Sequence, residues 1–151
     1  MIFTDYQTII PASWLNDVND YVFDTSNKDL VLATYDDLRN YSGDQVITYV
    51  LGVTNSFDGG AGEFVFDPAD TTSNDNGGTI IVSTDGRRWK RQFTGSISAA
   101  WFGVVGISND TAAMESLHTY ANSVGIPVDY TGLTKIYVDS NAQIPVNTSV
   151  N

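Results

Sequence analysis

Carboxylates are the most abundant groups able to do chemistry in this sequence: 18 Asp and Glu stand against 7 Lys and Arg, one histidine and no cysteine. Glycosidic cleavage needs only two carboxylates at a defined separation. Asp36, Asp37, Asp85 and Asp110, however, sit in predicted turns and helix caps, where the local backbone already explains them. No pair stands out, and no catalytic residue is assigned. Asp67, Asp70, Asn74, Asp75 and Asn76 could offer oxygen to calcium. Their spacing fits no EF-hand, and turn chemistry explains the same residues, so no metal is assigned. Without cysteine there is no disulfide, thiolate nucleophile or Cys-based zinc site, and His118 lies mid-helix beside core positions. Gly59, Gly60 and Gly62 precede a strand instead of a helix, and no G-K-[ST] follows. No nucleotide or other cofactor is indicated.

Four of the seven cations, Arg87, Arg88, Lys90 and Arg91, fall within five residues and are interleaved with Trp89. Such a patch can bind a polyanion or a partner, with Trp89, Arg88 and Lys90 as contacts to a glycan and Tyr41 and Tyr130 as further stacking surfaces. The alternation also fits a strand in which Arg87, Trp89, Arg91 and Phe93 share one face and the cations make structural or inter-subunit salt bridges. A formal net charge of -11 repels nucleic-acid phosphates and anionic membranes at long range, so neither is expected as a partner. No apolar run is long enough to cross a bilayer, and the first residues lack the basic start of a secretory signal.

The elements that must position these residues change character at 95–125. Asn109 or Asp110 can open a helix there, Ala113, Leu117, Tyr120, Ala121 and Val124 recur at helical spacing, and Gly125 can end it. Trp101 and Phe102, set among Gly95, Gly103 and Gly106, supply two aromatic anchors just before it. Upstream, Thr34 can cap a short helix through Leu38. Segments 45–53, 63–67, 79–83 and 87–93 read as strands of a small antiparallel sheet, the first of them buried on both faces. Downstream, 127–130 and 135–138 read as two short strands about a turn at Gly132, with a polar segment after them. Two such rungs cannot bury a core, so the chain is expected to be a fragment ending where a repetitive β-structure begins.

Residues 1–10 read either as a short extended arm or as a strand added to another chain's sheet. Ser13 can cap a helix over 14–23, where Trp14, Leu15, Val18 and Val22 form one apolar stripe. A helix of about ten residues is marginal alone in water, so its stripe needs a partner. Self-association about a symmetry axis is the favoured solution and docking on the downstream domain the other.

Taken in order, these segments resemble the N-terminal part of a bacteriophage tailspike or tail fibre of the capsular-depolymerase, pectate-lyase-like β-helix kind. TIIPASWLNDVNDYVF is similar to the helical element near the start of such proteins. LATYDDLRNYSGDQVITYVLG, DGGAGEFVFDP and NDNGGTIIVSTDGRRWKRQF resemble the small domain before the β-helix, and ISAAWFGVVGISNDTAAMESLHTYANSVG its cap helix. One departure is plain: the family's cap entry reads Gly-Asp-Gly then Asp-Asp-Thr, where this chain has Val105, Gly106, Ile107 and Ser108 before Asn109, Asp110 and Thr111.

The resemblance implies a mainly β fold with short helices (α+β). Its parts would be an N-terminal arm and helix (1–29), a small antiparallel β domain (30–94), and a cap helix with the first strands of a right-handed parallel β-helix (95–151). It further implies a homotrimer in the virion, made in the host cytoplasm and docked on another tail protein, that brings a depolymerase to host-surface polysaccharide. The family's catalytic carboxylates lie further along the β-helix or between subunits, so none is carried over and this segment is expected to be non-enzymatic. A polysaccharide-cleaving or glycan-binding fragment is the alternative.

Overall fold

A capping box at Thr34 sets the first helix. In the computed structural model, which describes residues 30–145, the Thr34 hydroxyl accepts from the Asp37 N–H at 3.2 Å while the Asp37 carboxylate accepts from the Thr34 N–H at 2.9 Å. Asp36 and Asp37 in the first turn and Arg39 in the last complement the helix dipole of α1 (Tyr35–Arg39). The expected arm over 1–10 and helix over 14–23, with Trp14, Leu15, Val18 and Val22, lie outside the described residues.

On either side of α1 run β1 (Leu30–Leu32) and β2 (Ile47–Val50), followed by β3 (Gly62–Phe66), β4 (Ile80–Val82) and β5 (Arg88–Arg91). They form one sheet in the order β1-β2-β3-β5-β4. Four strands, β2 to β5, are antiparallel as expected, but β1 pairs in parallel with β2, Val31 opposite Tyr49. The sheet is therefore mixed. The run before Thr34 is itself a strand, and α1 supplies the crossover that a parallel pair requires.

A second correction concerns β2. Instead of being buried on both faces, it alternates: Thr48 and Val50 are buried, whereas Ile47 and Tyr49 are 51% and 45% exposed. The reason is layering. Helix α1 covers one face of the sheet, where Tyr35, Leu38, Val50, Phe64, Ile81 and Trp89 form a closed cluster.

The loops are built from side-chain caps. Asp58 accepts from the backbone N–H groups of Val53, Thr54, Asn55 and Gly60 at 2.9 to 3.0 Å. Burial opposes its ionisation, but these four donors outweigh that and hold its carboxyl below the usual range. In the loop before β4, Asn76 accepts from the N–H groups of Gly78, Thr79 and Ile80. These oxygens are engaged in turn geometry, and among the described residues no cluster of ligating side chains is arranged to hold a metal.

After the sheet come β6 (Ile97–Ser98), a 3-10 turn (Ala99–Phe102), the long helix α2 (Thr111–Val124) and β7 (Val128–Asp129). β6 pairs in parallel with β7, Ile97 opposite Val128. Of the expected second strand, 135–138, a single parallel bridge forms between Asn109 and Tyr137. Ile97, Ala99, Phe102, Val104, Met114, Leu117 and Ala121 make the second core cluster. Leu117 and Ala121 hold the expected stripe, but Met114 belongs to it too, and Val124 is 43% exposed at the last residue of the helix. Gly125 ends the helix at φ +68, as a left-handed cap.

Asn109 accepts from the Thr111 N–H at the head of α2. Asp110 turns inward, 2% exposed. Its carboxylate takes the N–H groups of Val105 and Gly106 on one oxygen and that of Tyr137 on the other, sewing the turn before α2 to the bridge after it. No described helix is long and apolar enough to cross a membrane.

Candidate functional site

The basic stretch lies on β5 and in the turn before it, and each of its cations has an internal acceptor. Arg87 pairs with Asp85 at 3.1 Å, donates to the Gly43 carbonyl and lies over the Phe66 ring. Arg88 donates to the carbonyls of Ser73 and Gly86. Lys90 binds Asp70 and reaches the Ser73 hydroxyl; this ammonium holds the Asp70 carboxyl well below the usual carboxylate range. Arg88 and Lys90 remain partly accessible, on the face opposite α1.

Trp89 does not belong to that surface. It is fully buried, edge-on to Tyr41 with ring centroids 5.9 Å apart and tilted against Phe66 at 6.1 Å. The expectation that Trp89 stacks on a glycan is therefore corrected: strand alternation points it into the core cluster beneath α1. Tyr41 packs on Trp89, and its hydroxyl accepts from the Gln45 N–H. Tyr130 is half-buried and its hydroxyl meets the His118 imidazole, whose pKa burial lowers.

Arg91, two residues on, shares the inward face of Trp89 and is only 6% exposed. It has no carboxylate partner among the described residues. Its guanidinium donates instead to the carbonyls of Gly78 at 3.1 Å, Ala61 at 2.8 Å and Gly60 at 2.6 Å, and to the Tyr35 hydroxyl. The rings of Phe64 and Trp101 each lie 4.7 Å from it. Burial lowers the pKa of this guanidinium, and burial raises that of Tyr35 to about 12, so the phenol stays neutral. The role of Arg91 as the joint between sheet and cap was hidden in the charge run. Its signals were the two-residue offset from Trp89 and the glycines Gly59, Gly60 and Gly62, where backbone can approach a large side chain.

Between the loop 73–76 and the outer face of α2 lies a cleft of about 420 Å³. Its carboxylates are Asp75 and Glu115. Asp75 is already held by Arg39 in a two-pronged pair, 2.9 and 3.1 Å, and accepts from the Val82 and Gly77 N–H groups. Burial would raise its carboxyl, but these donors hold it below the ordinary range. The remaining lining residues are mostly Ser, Thr and Asn, of which Asn76 and Ser123 are already bonded within the chain, and most of the surface presented is apolar.

Comparison with known proteins agrees with this architecture. The family described as the phage tail protein small four-stranded beta-sheet domain matches residues 31–94, the span of the sheet, whose antiparallel strands β2 to β5 number four with β1 added at the edge. A Mu-like prophage FluMu defective tail fiber protein of Haemophilus influenzae is 43% identical over 67 residues, 40% of this chain and 11% of the relative. The tailspike protein of Acinetobacter baumannii phage AM24 superposes with a TM-score of 0.52 at 31% identity, over 80% of this chain and 19% of that one. Pantoea stewartii WceF, a glycan biofilm modifying enzyme with a bacteriophage tailspike-like parallel beta-helix fold, shares the fold at TM-score 0.54 and 22% identity, over 63% of this chain and 14% of its own. The chain thus spans about a tenth of the curated relative and less than a fifth of the solved ones. Residues 31–94 match the phage tail β-sheet domain, and over most of its length the chain is similar to part of a phage tailspike protein.

Proposed function

We propose that this chain is the adaptor of a homotrimeric tailspike, fixing the host-recognition part to another tail protein and setting its three-fold symmetry. The observation that carries this reading is the order of parts: a phage tail sheet, joined through Arg91 and Trp101 to a helix that packs over a parallel strand pair. A parallel β-helix continuing from β6 and β7 would inherit that orientation. The divisions 1–29, 30–94 and 95–151 then correspond to anchor, sheet domain and β-helix cap. Trp14, Leu15, Val18 and Val22 form the inter-subunit contact, and Arg88 and Lys90 are the cations offered to a tail partner. In this reading the protein is made in the host cytoplasm and incorporated in the virion, and cleavage of host-surface polysaccharide belongs to the downstream β-helix.

Light scattering tests the proposal. A mass near three times 16.4 kDa that falls to the monomer when Leu15, Val18 and Val22 are made polar supports it; a monomer for the unaltered chain removes it. The hydroxyl-rich cleft beside Asp75 and Glu115 favours a second reading, a glycan-binding fragment. Titration with host capsular oligosaccharide tests that reading, and a Thr119→Trp variant that fills the cleft should abolish binding.

A further inference from the structure

The outer face of the sheet carries an apolar patch at its β1–β2 edge. Val31 is 54% exposed, Ile47 51% and Tyr49 45%, and Val31 sits directly opposite Tyr49 in the ladder. Val65, opposite Ile47 on β3, extends the patch, and Glu63, opposite Tyr49, bounds it. Val31, Ile47, Tyr49 and Glu63 line a hollow of about 320 Å³ with Leu30 and Thr48. A contiguous apolar face of this kind on an otherwise strongly acidic chain marks a contact surface.

We propose that this face receives the apolar stripe Trp14, Leu15, Val18 and Val22 of a neighbouring copy, so that each subunit's N-terminal segment covers the next subunit's sheet. The inference rests on the trimeric adaptor reading and states what the stripe packs against. Three considerations support it. First, the stripe side chains and Val31, Ile47 and Tyr49 are alike apolar, so the centre of their contact carries no charge, with Glu63 at its margin. Second, only the seven residues 23–29 separate Val22, the last residue of the stripe, from Leu30; at full extension they reach about 25 Å, which tethers the stripe of every subunit near a β1 edge. Third, a head-to-tail contact closes into a ring when its rotation is three-fold, so one kind of contact, repeated, produces the symmetry the adaptor needs. A stripe folded onto its own sheet would bury the same groups and leave the subunits unjoined.

Because these 151 residues include no cysteine, disulfide trapping in this chain tests the contact without background. The variants are Val18→Cys, Tyr49→Cys and the pair combined, oxidised and run on a denaturing gel, with mass by light scattering before oxidation. The pair should give covalent dimers and trimers while each single variant runs as a monomer. Ile47→Lys, at an exposed position, should lower the trimer association constant at least tenfold with an unchanged circular dichroism spectrum. Cross-linking by Val18→Cys alone would mean that the stripes meet each other at the axis; a fast-migrating monomer from the pair would mean that each stripe covers its own sheet. Either result, or a trimer indifferent to Ile47→Lys and to the pair, overturns this docking and leaves the adaptor reading standing. An unaltered chain that is monomeric removes the adaptor reading itself.

Discussion

The guanidinium of Arg91 lies 4.7 Å from the centroid of the Trp101 ring, and through it the last residue of β5 is fastened to the aromatic turn that leads into α2. Behind that contact the same guanidinium donates to three carbonyls and a phenol. A buried cation without a carboxylate is stable only when its donors are satisfied and its charge faces π-electrons or carbonyl dipoles; here both conditions hold. Arg91 thus couples sheet and cap beside the packing of Gly78 on the Phe102 ring and of Phe93 on Trp101.

Truncating Arg91 should therefore weaken the protein far more than a surface arginine would. Arg91→Ala leaves buried carbonyls and the Tyr35 hydroxyl short of a donor, each worth about 1–3 kcal/mol, and should lower stability by roughly 3 kcal/mol or more in urea unfolding. Arg91→Lys keeps the charge but loses the planar fork, and should fall between. Gly62→Ala should act at the same place, because a Cβ there would stand 2.0 Å from an Arg91 nitrogen. Wild-type midpoints for these variants would refute the joint.

Trp89→Ala should remove about 3–5 kcal/mol of stability and its near-ultraviolet circular dichroism signal. Arg88→Ala and Lys90→Ala, at partly accessible positions, should each change stability by less than about 1 kcal/mol. If Trp89→Ala instead kept a native unfolding curve, its place in the core would be wrong.

Acid should destabilise the sheet through Asp75 and Asp58, whose folded carboxyls lie below their unfolded value of about 3.9. A depressed carboxyl contributes stability that is present above the unfolded value and is lost as pH falls through the folded one. The urea midpoint should hold steady from pH 7 to 5 and drop below about 4. Asp75→Asn should start lower at pH 7 and fall less steeply, which a pH series of unfolding curves reads directly.

Alkali acts through Tyr35, raised to about 12. A raised phenol contributes stability that is complete below the unfolded value of about 10 and disappears as pH climbs towards the folded one. Ultraviolet titration at alkaline pH should show one phenol ionising about two units after the exposed tyrosines, and Tyr35→Phe should remove that late step.

Much of the local architecture was legible from residue types alone. Thr34 opens a helix because its hydroxyl and Asp37 can satisfy one another's backbone, Gly125 ends one because it tolerates a positive φ, and Phe64 and Phe66 share a face because strands alternate. These are interactions within a few residues, and the sequence carries them whole. The parallel pairing of β1 was not legible, since three residues have no periodicity to read and their partner lies across a helix. Nor was the one-sided exposure of β2, because Ile47 and Tyr49 are apolar and only the position of α1 decides which face is covered. For the basic run the sequence by itself determined that cations and Trp89 alternate along a strand. Only the tertiary structure decided that Trp89 and Arg91 point inward, because that depends on Tyr35, Gly60, Gly78 and Trp101, brought from four separate stretches to surround one guanidinium.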